Sequence, residues 1–338
     1  MEKYTINYLG KKYSTTIKKN LSDEEYEEIK RQYYERPSFK NVEKNFINLS
    51  KGGVLLNHIT NYYVKDLMAK TKIHYNRWSI EEVFNCKELV EFFAGRTEKN
   101  KKVFPDTNSL EKNIETAMRI YGSGVASKPA QFPIKYVDLI LSKYNVNNKY
   151  YDFSCGWGSR LCSALRNKIE YYGTDPNYIL CERLNLLANN YNSTVGTNIK
   201  VDIRPQGSEI YIPEWGNTIG VAFTSPPYFN LEDYKIGNQS YKNNMTYEEW
   251  LISYYEPTFK NIYKYLIKNG YCAINVANFE NYDLISDTLK IAKKIGFKYV
   301  EKIKMDKIKR GSGVANRKKK KEEIVYDNFE YIYVFIKE

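Results

Sequence analysis

Metal-binding and disulfide-forming side chains are scarce in this sequence of 338 residues. The five cysteines, none of them in a C-x-x-C pair, are Cys86, Cys155, Cys162, Cys181 and Cys272. Only two histidines are present, His58 and His74, and no carboxylates cluster at ligand spacing. This composition favours neither a disulfide framework nor a zinc site, and we expect no metal cofactor. Unpaired cysteines are typical of the reducing cytoplasm, where we expect the protein to act.

Long apolar runs are also missing. No stretch approaches the roughly 20 apolar residues that a membrane-spanning helix needs, and Met1-Glu2-Lys3-Tyr4 does not resemble the start of a signal sequence. We therefore expect a soluble protein with no membrane partner. The length is sufficient for one full domain and a smaller module of about a hundred residues.

Acidic residues are outnumbered, and the basic excess is concentrated in one segment. The formal net charge is +12, and residues 302–321 hold ten basic residues against one acid, Asp306. Glycines and small side chains predict a flexible loop at 310–317. Charge of this density can lie along phosphates, so we predict DNA contact; the alternative is a solvated surface run. The residues assigned to this contact are Lys307, Lys309, Arg310, Arg317, Lys318 and Lys319.

A glycine-containing turn joins a predicted strand to a predicted helix. The β-rich run 149–153 is followed by Gly156 and Gly158, and the helix is predicted to begin at Ser159. A strand, a glycine turn and a helix in this order let the backbone approach a nucleotide-like ligand closely. The third glycine of a dinucleotide site is missing, so a dinucleotide ligand is poorly supported.

A second predicted strand, residues 169–175, ends in an acid. Asp175 could accept hydrogen bonds from both ribose hydroxyls of an adenosine ligand, and its charge disfavours a 2′-phosphate. The alternative is helix capping, because Asp175-Pro176 is a common beginning for a helix such as the one predicted near Asn177. We favour the ribose role.

The tetrapeptide Ser225-Pro226-Pro227-Tyr228 follows an apolar run at 220–223. The prolines fix φ and remove two N–H donors, so the local carbonyls are rigid and remain free to accept hydrogen bonds. Tyr228 adds a ring for stacking. Acceptors on both hydrogens of an exocyclic amine favour its reactive form, so the pattern suits catalysis on a flat base. The alternative is an ordinary turn after a strand.

These motifs resemble those of the DNA amino-methyltransferases, which transfer a methyl group from S-adenosylmethionine to an exocyclic base nitrogen. The similarity extends from about residue 125 to the end of the sequence, and Trp157 and Arg160 depart from the usual turn, as in a divergent, phage-like branch. The resemblance implies S-adenosylmethionine as the cofactor, bound by Pro129, Phe132, Asp152, Phe153, Ser154, Gly156, Gly158, Asp175, Pro176 and Ser208. It implies a catalytic set of Ser225, Pro226, Pro227 and Tyr228.

The head of the tetrapeptide bears on the target base. Ser225 resembles the family's cytosine-N4 enzymes, so we expect methylation of cytosine N4 in a base flipped out of double-stranded DNA. Adenine N6 stays an alternative, as do RNA and protein glutamine. A different class of alternative is a cofactor-binding but inactive DNA-binding subunit, or an architectural DNA-binding protein. The family also implies restriction–modification in a bacterial or phage-infected cell, with a restriction endonuclease partner; the oligomeric state stays open.

Predicted strands and helices alternate from residue 130 onward. The alternation favours an α/β fold with a doubly wound, mostly parallel, seven-stranded sheet, similar to the class I methyltransferases. Residues 121–338 would form the catalytic domain, including the basic loop 302–321. Residues 1–120 would form a mainly helical accessory or target-recognition region. The aromatic residues of this region, Tyr62, Tyr63, Tyr75 and Trp78, could bind nucleic acid, but we expect them to be core.

The segment after the tetrapeptide carries two further predictions. Residues 246–249 form a capping-box sequence for a long helix, bent at Pro257 and ended by Gly270. Glu232 and Asp233 are candidates to contact the base or to take its proton, although a charged helix start at the surface is the simpler interpretation.

Overall fold

The fold was analysed in a computed structural model of the chain. The residues that the structure describes are 4–8, 11–15, 19–53, 56–73, 77–98, 102–105, 107–121, 129–235, 239–242, 244–306 and 330–338. The predicted DNA-contacting residues between 307 and 319, and Tyr75, lie outside these ranges.

Seven strands of the described residues form one sheet, and two others form a separate hairpin. The strands are β1 (Tyr4–Tyr8), β2 (Lys11–Thr15), β3 (Lys149–Asp152), β4 (Glu170–Thr174), β5 (Val201–Arg204), β6 (Ile219–Thr224), β7 (Leu266–Val276), β8 (Phe297–Lys304) and β9 (Tyr331–Lys337). The order in the sheet is β5-β4-β3-β6-β7-β9-β8, with β9 antiparallel to both neighbours and the other pairs parallel. The predicted class I methyltransferase-like α/β fold is confirmed.

Helices cover both faces of the sheet and make up most of the first 121 residues. They are α1 (Asp23–Tyr34), α2 (Phe39–Ser50), α3 (Leu56–Lys70), α4 (Ile80–Phe84), α5 (Lys87–Thr97), α6 (Leu110–Tyr121), α7 (Ile134–Tyr144), α8 (Ser159–Arg166), α9 (Tyr178–Val195), α10 (Tyr247–Trp250), α11 (Glu256–Tyr265) and α12 (Leu284–Ile295). A 3₁₀ turn spans Pro213–Trp215, and a π-helical turn, Leu251–Tyr255, separates α10 from α11. None of the helices in the described part is long and apolar enough to span a bilayer.

Alternating tyrosines build the two faces of the central strands. In β3, Tyr150 belongs to one hydrophobic cluster and Tyr151 to the cluster on the opposite face, and both are fully buried. Their hydroxyl groups are satisfied, since Tyr150 donates to the Phe223 carbonyl at 2.8 Å and the Tyr151 hydroxyl lies 2.9 Å from Thr174 Oγ1 of β4. Successive side chains of a strand point to opposite faces, so a run of tyrosines can fill both.

The N-terminal helices divide between two cores. Helices α2 and α3 belong to the same cluster as α7, α8 and α9, and the Phe46 ring packs edge-on against Tyr191 at 5.5 Å. Helices α1, α4, α5 and α6 form a cluster of their own that contains Trp78. Trp78 and Tyr63 are buried, which confirms the core interpretation for these two aromatics. The domain boundary near residue 120 stays a prediction, although packing crosses it.

Two local predictions were wrong. The helix predicted to end at Gly270 ends at Tyr265, and β7 begins at the next residue, because Leu266 already has an extended backbone. The basic segment 302–321 is not a loop from its first residue, since Lys302 and Lys304 belong to β8. The capping box headed by Thr246 is confirmed, with the Thr246 side chain accepting a hydrogen bond from the Glu249 N–H.

Candidate functional site

The glycine turn and the tetrapeptide meet at one edge of the sheet. Strands β3 and β6 are parallel neighbours, so their carboxyl ends lie side by side. At these ends the Thr224 hydroxyl donates to Asp152 Oδ1 at 2.8 Å and lies 3.3 Å from the Ser154 carbonyl oxygen. The last residue before the tetrapeptide is therefore bonded to the first residues of the turn.

Asp152 is the buried anchor of the turn. Its side chain is fully buried, and Oδ2 accepts hydrogen bonds from Arg160 Nε at 2.8 Å and from the Tyr171 hydroxyl at 2.9 Å. Arg160 also donates to the Ser154 carbonyl. Burial alone would lower the pKa of Arg160, but the charge of Asp152, its hydrogen bond to Arg160 and the neighbouring tyrosines together outweigh burial and raise that pKa above its ordinary value. Asp152 thus shapes the turn from within, and Arg160 is its buried counter-ion.

Both glycines of the turn have a backbone that disfavours other residues. Gly156 has φ +57° and Gly158 has φ +90°. A Cβ on Gly158 would lie 3.0 Å from Leu184 Cδ2 of α9, and one on Gly156 would lie 3.1 Å from an Arg160 guanidinium nitrogen. The turn is therefore packed closely against α9 at Gly158 and against the Arg160 side chain at Gly156.

Residues 129–132, which precede α7, contact the glycine turn. Gln131 Nε2 donates to the Trp157 carbonyl at 2.9 Å, and the Phe132 ring lies 5.8 Å from the Arg160 guanidinium. Pro129 is buried beside them. The Phe132 ring and the hydrogen bonds to Asp152 and the Ser154 carbonyl explain the arginine at position 160. The other side-chain atom of Gln131, Oε1, is buried and accepts no hydrogen bond from the described residues.

Asp175 is a half-buried carboxylate at the end of β4. Its Oδ1 accepts from the Asn177 N–H at 3.0 Å, and the Gly156 N–H of the turn also bonds to it. Burial raises the pKa of Asp175 to about 6, and these two N–H groups oppose the rise only in part. The cap of α9 is Asn177, whose side chain accepts from the Leu180 N–H. The capping interpretation of Asp175 is wrong, and its ribose role stays a prediction; Pro176 lies half-buried next to it.

The loop after β5 carries a second carboxylate, that of Glu209. We call the region bordered by this loop, the glycine turn and the tetrapeptide the cleft. Ser208 is buried, and its hydroxyl lies 2.9 Å from Thr258 Oγ1. The Glu209 side chain folds back over Gly207, where a Cβ would collide with Glu209 Oε2. This Oε2 is buried without a hydrogen-bond partner among the described residues, and burial raises the pKa of Glu209. Ser208 therefore faces the protein interior. Glu209 Oε2 can accept a hydrogen bond from a ligand.

The tetrapeptide presents Tyr228 against a second aromatic ring. The rings of Tyr228 and Phe279 are 5.8 Å apart and inclined by 29°, and the Tyr228 hydroxyl donates to the Asn275 carbonyl at 3.4 Å. Burial raises the pKa of Tyr228, so it stays a neutral phenol. The next residue, Phe229, has φ +45°, a left-handed backbone that is rare for an aromatic residue. Strain therefore lies directly beside the predicted catalytic residues.

Prolines and serine of the tetrapeptide differ in exposure. Pro226 is buried, whereas Ser225 and Pro227 are half-buried. The Ser225 side chain hydrogen-bonds the Tyr228 hydroxyl. The four predicted catalytic residues thus form one compact group at the end of β6, and their catalytic role stays a prediction.

The segment after the tetrapeptide is a loop tied to the N-terminal region. Asp233 pairs with Lys72 as an antiparallel bridge with two backbone hydrogen bonds of 2.9 Å. The half-buried Glu232 accepts a hydrogen bond from the Tyr234 hydroxyl and lies within electrostatic range of Tyr228. No helix begins here, so the interpretation of these two acids as a surface helix start is wrong. Burial raises the pKa of Glu232.

Two residues of the cleft were missed from the sequence. Tyr234 approaches the turn, with its ring 6.3 Å from that of Trp157. Tyr254 reaches Ser208 from the π-helical turn. Neither belongs to a motif, and the only signal was their position after the tetrapeptide. Among the described residues, no group of three histidine, cysteine or acidic side chains is placed to hold a metal ion.

Comparisons with known proteins found only distant likenesses. No family model and no curated protein matches the chain. The [4+2]-cyclase SpnF is 13% identical, covers 60% of this chain and 80% of its own, and has a TM-score of 0.40. A TehB-like SAM-dependent methyltransferase from Corynebacterium glutamicum is 14% identical, with 60% and 86% covered and a TM-score of 0.39.

A third structure, geranyl diphosphate methyltransferase in complex with GPP and sinefungin, is 10% identical, with 60% of this chain and 76% of that chain covered and a TM-score of 0.40. Likenesses at this level carry no argument about function.

Proposed function

We propose that the protein is an S-adenosylmethionine-dependent methyltransferase that acts on the exocyclic amine of a base in DNA, with cytosine N4 as the expected target. The observation that carries the proposal is the junction at the sheet edge. Thr224, the last residue of β6, joins the turn at Asp152 to the strand that precedes Ser225, so a ligand on the turn and a base on the tetrapeptide would be neighbours.

The residues present fit the cofactor that the resemblance implies. The glycine turn suits close approach of a ligand, because the positive φ of Gly156 and Gly158 allows a tight backbone turn between β3 and α8. Asp175 is a half-buried carboxylate suited to ribose hydroxyls. Two buried acceptors that find no hydrogen-bond partner within the described part of the chain, Glu209 Oε2 and Gln131 Oε1, suit the adenine amine and the ammonium group of the methionine part. When bound, the cofactor supplies an activated methyl group on a sulfonium.

The tetrapeptide would hold the amine of the target base. The Ser225 hydroxyl and the Pro226 carbonyl are acceptors for its two hydrogens, and they favour the form of the amine in which the lone pair is available. Phe279 stacks on one face of the Tyr228 ring, and the target base would stack on the opposite face. The base has to leave the duplex to reach this position.

The amine must also lose a proton. Ser225 is a weak base, so the proton passes to solvent or to a neighbouring acceptor. Glu232 is a suitable neighbour because it is half-buried, lies within electrostatic range of Tyr228 and is oriented by the Tyr234 hydroxyl. Asp233 is less suitable, since it forms an ion pair with Lys235 at 2.7 Å.

DNA is proposed as the substrate because of the basic segment, whose sequence carries a large share of the net charge of +12. A methyltransferase that works on a polyanion needs affinity for phosphates, and lysine and arginine supply it independently of sequence. The adenine-N6 target is the runner-up, and an inactive, cofactor-binding subunit is the alternative outside enzymes.

The test is nucleoside analysis of DNA after incubation with the protein and S-adenosylmethionine carrying a heavy methyl group. Digestion and mass spectrometry should find labelled N4-methylcytosine. Labelled N6-methyladenine would replace the expected target by the runner-up. Binding of the cofactor without any labelled DNA, RNA or protein would favour the inactive subunit, and no cofactor binding at all would refute the proposal.

A further inference from the structure

The long helix after the tetrapeptide contains an irregularity that serves the cleft. Between α10 and α11, Leu251–Tyr255 form a π-helical turn. Such turns insert an extra residue into an α-helix and occur frequently at functional sites. Here the turn buries two consecutive tyrosines, Tyr254 at 6% and Tyr255 at 1% exposure, while Ile252 is 71% exposed.

The two tyrosines point to different partners. The Tyr255 hydroxyl lies 2.8 Å from Thr288 Oγ1 of α12, away from the cleft. The Tyr254 hydroxyl accepts from the Ser208 hydroxyl at 3.5 Å and also hydrogen-bonds the Ser154 side chain. Burial raises the pKa of Tyr254 to about 12, so the hydroxyl keeps its proton.

The surroundings of the Tyr254 hydroxyl coincide with the proposed adenosine site. Ser154 belongs to the glycine turn and Ser208 to the loop after β5. The carboxylates of Glu209 and Asp175 are both within electrostatic range of this hydroxyl. One side chain from a third element therefore reaches the two loops that would hold the adenosine part of the ligand.

We propose that Tyr254 is a positioning residue of the adenosine site, which holds the turn at Ser154 and the loop at Ser208 in fixed relation. This inference rests on the proposed function. In this arrangement Glu209 is kept in place to accept from the adenine amine. Tyr254 is carried to this position by the π-helical turn, which lies directly before α11.

The test compares Tyr254→Phe with Tyr255→Phe in the full chain. Each variant loses one buried hydroxyl and keeps its ring, and Tyr255 provides the matched control. Binding is measured by calorimetry with S-adenosylhomocysteine and with its hypoxanthine analogue, in which a carbonyl replaces the adenine amine. Unfolding is measured by denaturant titration for both variants.

Tyr254→Phe should weaken the binding of S-adenosylhomocysteine about three- to tenfold, the range expected for lost hydrogen bonds. It should also reduce the preference for adenine over hypoxanthine, which a purely structural role would leave unchanged. Tyr255→Phe should keep both the affinity and the preference of the wild type. The inference is refuted if Tyr254→Phe binds both ligands like the wild type, or if the two variants lose affinity equally. A wild type without affinity for S-adenosylhomocysteine would refute the proposed function as well.

Discussion

Thr224 donates its hydroxyl hydrogen to Asp152 at 2.8 Å, and both residues are fully buried. Through this contact the last residue of β6 meets the last residue of β3. The turn that follows Asp152 and the tetrapeptide that follows Thr224 then share a single anchor. The pairing of β3 with β6 sets the relative position of the two predicted sites, and this side-chain hydrogen bond secures it where the strands end.

Replacing Thr224 by valine tests this anchor. Thr224→Val keeps the shape of the side chain but removes the donor to Asp152, so we expect a loss of about 1–3 kcal/mol in the free energy of unfolding. S-adenosylhomocysteine binding should weaken as well, because the turn loses its tie to β6. Denaturant titration and calorimetry measure the two effects. Thr288→Val is the control, since Thr288 of α12 is fully buried and hydrogen-bonded to Tyr255. This variant should lose stability but keep the wild-type affinity for S-adenosylhomocysteine.

The buried ion pair of Asp152 and Arg160 predicts a strong dependence of stability on both partners. Arg160→Met should destabilise the fold by about 3–5 kcal/mol, because a buried carboxylate is left without its counter-ion. The double variant Asp152→Asn, Arg160→Met should recover part of this loss, since no buried charge remains. Equal stabilities of the single and double variants in denaturant titration would contradict the proposed importance of the pair.

Asp175 should make stability depend on pH. Its pKa is raised from the ordinary 3.8 to about 6, so between these values the folded protein binds a proton that the unfolded chain does not. Protonation therefore stabilises the fold as the pH falls from 6 toward 4, and the charged form costs stability above 6. Asp175→Asn should raise the free energy of unfolding at pH 8 by on the order of 1–2 kcal/mol, with no gain at pH 4.

Asp175 should affect ligand affinity in the opposite direction. An ionised carboxylate accepts from both ribose hydroxyls, so the affinity of the wild type for S-adenosylhomocysteine should decrease as the pH falls below about 6. Asp175→Asn should bind more weakly at pH 8 and show no such decrease. Calorimetry at a series of pH values compares the two proteins, and identical profiles would argue against the ribose role.

Tyr228 should matter through its ring. Tyr228→Ala should lower the rate of methyl transfer about 10- to 100-fold, as expected for lost stacking on a base, while S-adenosylhomocysteine binding is kept. Tyr228→Phe should retain most activity, because it keeps the ring and loses only the hydroxyl, with its contacts to the Ser225 side chain and the Asn275 carbonyl. Tyr299→Ala, at a tyrosine 52% exposed in β8, is the control for an alanine substitution. Transfer of labelled methyl groups by Tyr228→Ala at the wild-type rate would exclude stacking.

Glu232 should influence the pH dependence of turnover. If it takes the proton of the amine, Glu232→Gln should lower kcat about 10- to 100-fold with an unchanged KM for the cofactor. The wild type should lose activity on the acid side, and the variant should not. Asp233→Asn serves as the comparison, since Asp233 is already paired with Lys235. An unchanged kcat in Glu232→Gln would assign the proton to solvent.

Local patterns predicted the central strands well. The run Ile219–Thr224 is buried along its whole length, and a continuous apolar run between turn signals matches β6 in the centre of a parallel sheet. The capping residue Thr246 was likewise readable, because its partner Glu249 is only three positions away. Signals of this kind are contained in a few neighbouring residues.

Features that depend on distant contacts could not be predicted. Arg160 looked unexplained until its partner Asp152 and the Phe132 ring were seen around it. Tyr254 lies in a stretch whose spacing fits an ordinary amphipathic helix, so no pattern marked the π-helical turn. The bridge between Lys72 and Asp233 joins residues far apart in sequence, and no local signal indicated it.

The bridge between Lys72 and Asp233 limits where the chain could be cut into fragments without losing contacts. The first third of the sequence supplies a backbone partner for the loop after the tetrapeptide, and it supplies Phe46 to the core beside Tyr191. A fragment beginning at residue 129 would expose the flank of α9 and release the loop that carries Glu232. Recombination between relatives would then preserve activity only where the exchanged piece brings along a matching edge for Asp233. The first third of the sequence and the region that carries the tetrapeptide would have to be inherited together.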